Sequence, residues 1–253
     1  MTHHLQDRSI IVTGSARGIG AEYARGLAAR GAAVAVCDIL DTAQTVDEIR
    51  AAGGSAFGVT CDVTDLASVA KMAQQAQARF GRIDGLVNNA AVFASLTPKS
   101  FLEITSEEFD LVMRVNVRGV FECVKAVTPF MREQGYGKIV NIGSGTFFKG
   151  SSRMLHYVSS KGAIVGMTRA MARELGEMGV RVNCLAPGFV MSDGLSENPA
   201  YGADAGRSTV ASRCIKRPQT PEDLVGALAY LLSADSDFMT GQLMLVDGGS
   251  AMN

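Results

Sequence analysis

The chain has no long apolar run, no block of like charge and no closely spaced pair of cysteines, and each absence excludes a class of protein. The apolar runs fall far short of the ~18–20 residues that span a bilayer. The first residues, Met1 to Arg8, lack the apolar stretch of a secretion signal. The formal net charge is -1 and neither sign is clustered, which excludes the basic patch of a nucleic-acid or anionic-membrane binder. Five cysteines, at 37, 61, 123, 184 and 214, are odd in number, scattered and without C-x-x-C spacing. They argue against structural zinc and predict a reduced, cytoplasmic chain that holds no metal. His3 and His4 read as a frayed terminal arm. No repeat, linker or low-complexity stretch divides the chain.

What is present suits one α/β domain. The 253 residues are 47% hydrophobic, enough for a large core. Strands are predicted over 9–13, 33–38, 55–60, 85–88, 138–142, 181–186 and 242–246. Helices are predicted over 21–30, 42–52, 66–80, 106–132, 157–177 and 221–232. Asp62 and Thr64 are candidate caps of the third helix, and Thr220 of the last, which has Pro221 in its first turn. The alternation predicts a single-domain, Rossmann-type, doubly wound parallel sheet of about seven strands with helices on both faces. Residues 191–217, rich in Ser, Gly, Ala and Asn, read as one long irregular stretch and a substrate-binding lid.

Between the first strand and helix lies Thr13-Gly14-Ser15-Ala16-Arg17-Gly18-Ile19-Gly20. Missing Cβ atoms let a phosphate approach the backbone, and a helix N-terminus offers free N–H groups and a favourable dipole. Gly14, Ser15, Arg17, Gly18, Ile19 and Gly20 are therefore candidate cofactor-binding positions. Asp38 ends the second strand, 18 residues after Gly20. A carboxylate there bonds a ribose 2′-OH and repels a 2′-phosphate, which favours NAD. Arg17 pulls the other way, because a cation in the turn suits NADP. The carboxylate ranks higher because its repulsion acts at the 2′ position itself.

Tyr157 and Lys161 stand four residues apart at the start of a helix-like run, so both leave one face. A phenol beside an ammonium is a candidate acid/base. Lowering its pKa by about two pH units takes about 3 kcal/mol, which one ammonium and a positively charged nicotinamide can supply. A Tyr–Lys pair at this spacing also occurs on ordinary helix surfaces, so its weight comes from its company.

With these residues in view, the whole chain resembles the short-chain dehydrogenase/reductase family in its ~250-residue form. Thr13 to Gly20 matches the family's T-G-x-x-x-G-x-G turn. Asp62-Val63 matches its adenine-contacting pair, and Asn88-Asn89-Ala90-Ala91 its N-N-A-G segment. Asn116, Ser144, Tyr157 and Lys161 match its catalytic tetrad, with Ser144 13 residues before Tyr157. Pro187-Gly188 and Asp247-Gly248-Gly249 match its later turns. Ala91 departs from the usual Gly, and Ser192 from the usual Thr of P-G-x-V-x-T.

The resemblance implies hydride transfer between a secondary alcohol, or its ketone, and nicotinamide. Tyr157 is then the general base or acid, and Ser144 donates to the substrate oxygen. Lys161 lowers the Tyr157 pKa and bonds the nicotinamide ribose, and Asn116 holds a water that relays protons to Lys161. Asn89, Ala90, Pro187, Gly188, Val190 and Ser192 join the cofactor contacts. A homotetramer is implied as well, formed through helices 106–132 and 153–177 and the last strand.

Ligands of such sheets bind past the carboxyl ends of strands. That places Val92, Phe93 and Ser95, Gly145 to Phe148 with Thr146 and Phe147, Met154, His156, Phe189 and Met191 around the substrate. Their apolar character and the absence of a clear carboxylate clamp favour a neutral, aromatic or cyclic substrate. The local pattern is similar to NAD-dependent aryl or cyclic alcohol dehydrogenases, the pyridoxal 4-dehydrogenase type among them. Two other readings stay open: an NADPH-dependent ketoreductase of 3-oxoacyl thioesters, and a nucleotide-binding regulator without chemistry, against which the intact tetrad speaks.

Overall fold

The computed structural model describes residues 5–191, 195, 197, 198, 200, 201 and 203–252, with the backbone alone for 203–207. His3, His4, Ser192, Asp193 and Gly194 lie outside the described residues. Seven parallel strands form one sheet in the order β3-β2-β1-β4-β5-β6-β7. They are β1 (Ser9–Thr13), β2 (Ala33–Asp38), β3 (Ser55–Thr60), β4 (Gly85–Asn88), β5 (Gly137–Ile142), β6 (Val180–Pro187) and β7 (Leu243–Val246).

Alternation along each strand builds two cores. In β1, Ile10 and Val12 pack on one face with Leu27 of α1 (Gly18–Ala28), Ile49 of α2 (Ala43–Ala51) and Leu228 of α9 (Glu222–Leu232). Ile11 packs on the other face with Met72 of α3 (Leu66–Phe80), Val127 of α5 (Gly119–Gln134) and Leu175 of α7 (Leu155–Leu175). The sheet thus buries both faces, as parallel sheets do. Among the described residues no helix is long and apolar enough to cross a membrane.

Helix ends depart from the sequence reading in instructive ways. α1 begins at Gly18, inside the glycine turn rather than at Ala21. Asp65 caps α3 by accepting from the Ala67 amide, whereas Asp62 folds onto Thr64 in a turn of its own. Pro221, not Thr220, is the cap position of α9. The helix foreseen over 106–132 is α4 (Ser106–Met113), a π-helical turn at Arg114–Arg118, and α5. The segment 191–217 is not wholly irregular, since it contains α8 (Ala203–Ser212). A four-residue turn of helix, α6 (Thr146–Lys149), completes the set.

Candidate active site

Strand order reverses at β1, whose neighbours are β2 and β4. The two halves diverge past its carboxyl end, and a crevice opens there. It is a cleft of about 840 Å³ that runs from Asp38 and Asp62 to Tyr157 and Phe189.

Packing shapes the glycine end. A Cβ at Gly14 would stand 2.7 Å from the Ala90 Cα, and one at Gly20 would overlap the Gly14 carbonyl oxygen. The Asn89 side-chain amide donates to the carbonyls of Thr13 (3.0 Å) and Gly14 (2.8 Å), which ties the turn to the end of β4. α1 has no side-chain cap, so its first-turn N–H groups have no partner from the helix itself and face the cleft at Gly18, Ile19 and Gly20. Ser15 does not line the cleft. Its buried hydroxyl donates to the Val12 carbonyl (2.7 Å) and accepts from the Cys37 amide (3.0 Å), fastening β1 to β2. Ala91 is exposed along the cleft, so a methyl in place of hydrogen is accommodated.

Asp38 lines the cleft, with its carboxylate held by the amides of Ala16 (2.9 Å) and Leu40 (3.0 Å). Arg17 also lines it, but its guanidinium is engaged by Glu197, at 3.0 Å. Asp62, Val63, Asn89 and Ala90 follow along one wall. Pro187, Gly188 and Val190 follow along the other. These residues fit a dinucleotide: uncapped helix amides for a pyrophosphate, a fixed carboxylate for a ribose diol, and a groove between two strand ends.

Tyr157, Lys161 and Ser144 meet at the far end. The Ser144 hydroxyl acts on the Tyr157 phenol in the direction of a donor and opposes the upward shift that burial imposes. Burial dominates, so the Tyr157 pKa lies well above the ordinary phenol value. The expected lowering takes Lys161 and a positively charged nicotinamide together, and in the chain alone Lys161 does not offset burial. The reason is geometric: the Lys161 ammonium donates to the Ile142 carbonyl at 2.7 Å and stands 5.6 Å from the Tyr157 ring centroid. Burial also acts on Lys161, lowering its pKa from 10.5 to about 8.

Asn116 does not reach the cleft surface. It lies on the π-helical turn, buried, with its oxygen accepting from the Val92 amide (2.7 Å). Its amide donates to the Val92 carbonyl (3.1 Å) and Ser160 Oγ (3.2 Å). The wider turn is what lets a helix side chain bracket both backbone groups of a loop residue, a use for which π-turns recur at functional sites.

Of the candidate substrate residues, Val92, Phe93, Ser95, Gly145, Thr146 and Phe189 line the cleft. Five do not. Met154 is buried with Leu96 and Val112. Phe147 stacks on Phe148 outside the cleft, Met191 is exposed, and His156 is wholly buried behind Tyr157. Sequence reasoning missed Tyr201, whose ring stands 5.7 Å from Phe93 and 6.4 Å from Phe189. An aromatic in a stretch of small polar residues was the available signal. Asp247 was read only as part of a family motif. It lines the cleft, and its carboxylate accepts the amides of Gly249, Ser250 and Ala251.

A family model described as enoyl-(acyl carrier protein) reductase matches residues 14–251. The chain belongs to the short-chain dehydrogenase/reductase family. Its chemistry is nicotinamide-dependent oxidoreduction at a CH–OH carbon. This dehydrogenase/reductase is 41% identical over 250 residues to the short-chain reductase protein NovJ of Streptomyces niveus, covering 96% of this chain and 94% of that one. It is 37% identical to the (2S)-[(R)-hydroxy(phenyl)methyl]succinyl-CoA dehydrogenase subunit BbsD of Thauera aromatica, covering 98% of each. Among solved structures, the gluconate 5-dehydrogenase of Burkholderia cenocepacia in complex with NADP and tartrate superposes with a TM-score of 0.91 at 33% identity, covering 98% of this chain and 96% of that one.

Proposed function

We propose that this dehydrogenase/reductase is an NAD-dependent enzyme that interconverts a neutral secondary alcohol bearing an aromatic or alicyclic ring with its ketone. The observation that carries the reading is the aromatic wall beside the reacting phenol. Phe93 stands 4.6 Å from the Tyr157 ring, and Tyr201 bridges Phe93 to Phe189. A flat or cyclic substrate gains from such rings, whereas a polyol would leave its hydroxyls facing them. A relative named for a hydroxy(phenyl)methylsuccinyl-CoA substrate supports the aromatic ring beside the alcohol, though that substrate is itself charged.

NAD is the cofactor in this reading. A 2′-phosphate would meet the fixed Asp38 carboxylate, while Arg17 is drawn off by Glu197. Gly14, Gly18, Ile19 and Gly20 hold the pyrophosphate, Asp62 and Val63 the adenine, and Asn89, Ala90, Pro187, Gly188 and Val190 the rest. Oxidised nicotinamide accepts hydride and brings positive charge to this end of the cleft. Tyr157 gives a proton to the ketone oxygen in reduction and takes it in oxidation. Ser144 donates to the same oxygen and stabilises charge as it develops. Lys161 holds the cofactor ribose and supplies local positive charge. Asn116 positions the Val92 loop against α7.

The reading of 191–217 as a lid draws on its described residue Asn198, which donates to the carbonyls of Ala94 (2.7 Å) and Leu96 (3.2 Å) at the substrate end. Buried free thiols at Cys37, Cys61, Cys123 and Cys184 suit the cytoplasm.

Steady-state turnover with NAD and NADP side by side, against ring-bearing and linear secondary alcohols and their ketones, tests the reading. NAD-linked turnover of ring-bearing alcohols is expected. Tyr201→Ala should raise KM for these roughly tenfold and spare the linear ones. Turnover confined to NADP(H), best on 3-oxoacyl thioesters, would replace this reading with the ketoreductase.

A homotetramer is supported by exposed Phe121 on α5 and Leu155 on α7, and by β7 as an open sheet edge. Light scattering after size exclusion is expected to give four times the 26.6 kDa chain mass. A monomer mass would refute it.

A further inference from the structure

We propose that His156 is a positioning residue, whose Nδ1 caps the backbone amide of Tyr157 and thereby sets where the reacting phenol stands. The inference rests on the acid/base role of Tyr157 given above.

Helix α7 starts at Leu155, so Tyr157 is its third residue and its amide has no partner within the helix. That amide is ordinarily taken by a Ser, Thr, Asp or Asn oxygen at the cap position. Here the cap position is Met154, which offers no such oxygen, and no side-chain cap is made from it. The amide goes instead to Nδ1 of His156, at 3.0 Å. The other backbone group of Tyr157 is also engaged from outside the helix ladder. Its carbonyl accepts from Ser160 Oγ at 2.7 Å, and Ser160 in turn accepts from Asn116. The peptide groups flanking the phenol are therefore gripped at both ends by side chains.

The orientation of the imidazole follows from its surroundings. A ring nitrogen that accepts an N–H carries no proton, so the proton sits on Nε2. Nε2 faces Glu108 Oε1 on α4 at 3.7 Å, too far for a direct hydrogen bond. The other oxygen of Glu108 pairs with Lys99 at 2.8 Å. Turning the ring over would set a C–H against the Tyr157 amide. His156 is wholly buried, so no water competes for that amide.

The chain entering α7 is held as well. Arg153 adopts φ 66°, a left-handed conformation unusual for a side-chain-bearing residue. Its carbonyl accepts from the Lys99 amide (3.0 Å), and its guanidinium donates to the Pro98 carbonyl (3.1 Å). Lys99 thus touches both the entry to α7 and the carboxylate facing His156. Nothing in this arrangement touches substrate, and its product is the place of the Tyr157 backbone.

The test uses the difference in reach between two amides. Asparagine sets its side-chain oxygen where His Nδ1 lies, and glutamine extends to the place of Nε2. H156Q and H156L are expected to lower kcat on the order of 10- to 100-fold, as a small misplacement of a reacting group does. H156N should stay within about threefold of the parent, and KM for the cofactor should not move. Amide exchange at Tyr157, followed by NMR in protein labelled with 15N-tyrosine, should accelerate in H156Q and H156L and stay slow in H156N.

Equal kcat in H156N and H156Q overturns the proposal, as does faster exchange without a change in kcat. If H156L does not fold, the two polar variants carry the comparison. Exchange is read without turnover, so the cap is judged separately from the acid/base role, which full turnover in Y157F would defeat.

Discussion

Replacing Tyr157 by phenylalanine is expected to lower kcat/KM by roughly 10²- to 10⁴-fold, the range in which a positioned acid/base acts. In transition-state terms that is about 3–5 kcal/mol. The substitution removes one hydroxyl and keeps the ring that stands 4.6 Å from Phe93. The fold and the cofactor end of the cleft should be untouched, so reduced-nicotinamide binding by fluorescence titration should not change. The pH profile adds a second reading. Burial holds the phenol well above its ordinary pKa. The base needed for alcohol oxidation is therefore scarce at neutral pH, and parent oxidation should climb with pH across the neutral and mildly alkaline range. The phenylalanine variant should lose that climb. Turnover within fivefold of the parent, with the same profile, would remove Tyr157 from its role.

Lys161→Met should give a more stable but inactive protein. The Lys161 pKa falls from 10.5 to about 8 because burial penalises the ammonium, a difference of about 3 kcal/mol against the charged form. The sign follows from proton counts. Between pH 8 and 10.5 the unfolded chain binds more protons at this site than the folded one, so stability rises with pH through that window. Below it the full penalty applies. Methionine removes the charge and fills similar space. It leaves the Ile142 carbonyl without its donor, which costs about 1 kcal/mol.

The net gain at pH 7 is about 2 kcal/mol, or roughly 4–8 °C in Tm for a chain of this size. It should shrink as the parent is melted at pH 9 and 10. Activity should fall roughly 100-fold or more, with cofactor affinity reduced, because the positive charge and the ribose contact go together. A variant less stable than the parent at pH 7 would show that the ammonium stabilises this site rather than straining it.

Both predictions concern residues that were legible in the sequence. The tetrad spacing, the glycine turn and Asp38 could be read because each depends on local chain geometry. Four residues of helix bring Tyr157 and Lys161 to one face, and one turn after β1 brings Gly14 to Gly20 to a helix end. The strands were equally plain, since β-branched runs buried on both faces have few polar positions to blur them. Helix starts were less legible, because caps turn on single hydrogen bonds. Asp65 rather than Asp62 or Thr64 heads α3, and the three carboxyl or hydroxyl groups look alike in one dimension.

The side of the chain that faces the cleft was harder still. Met154, Phe147, Met191 and His156 all stand near the right strand ends, yet they point into a small core, the surface or the back of α7. Tyr201 was passed over and joins the aromatic wall across more than a hundred residues of sequence.

The sequence by itself determined the strand–helix alternation and the family, and it singled out the candidate reacting groups, since these rest on periodicity and short-range spacing. Only the tertiary structure decided how those groups are tuned and aimed. Whether Lys161 or burial governs the Tyr157 phenol depends on a 2.7 Å bond to Ile142. Whether Arg17 is free depends on Glu197, 180 residues further along the chain. Desolvation and hydrogen-bond geometry are set by neighbours distant in the chain, and no local pattern carries them.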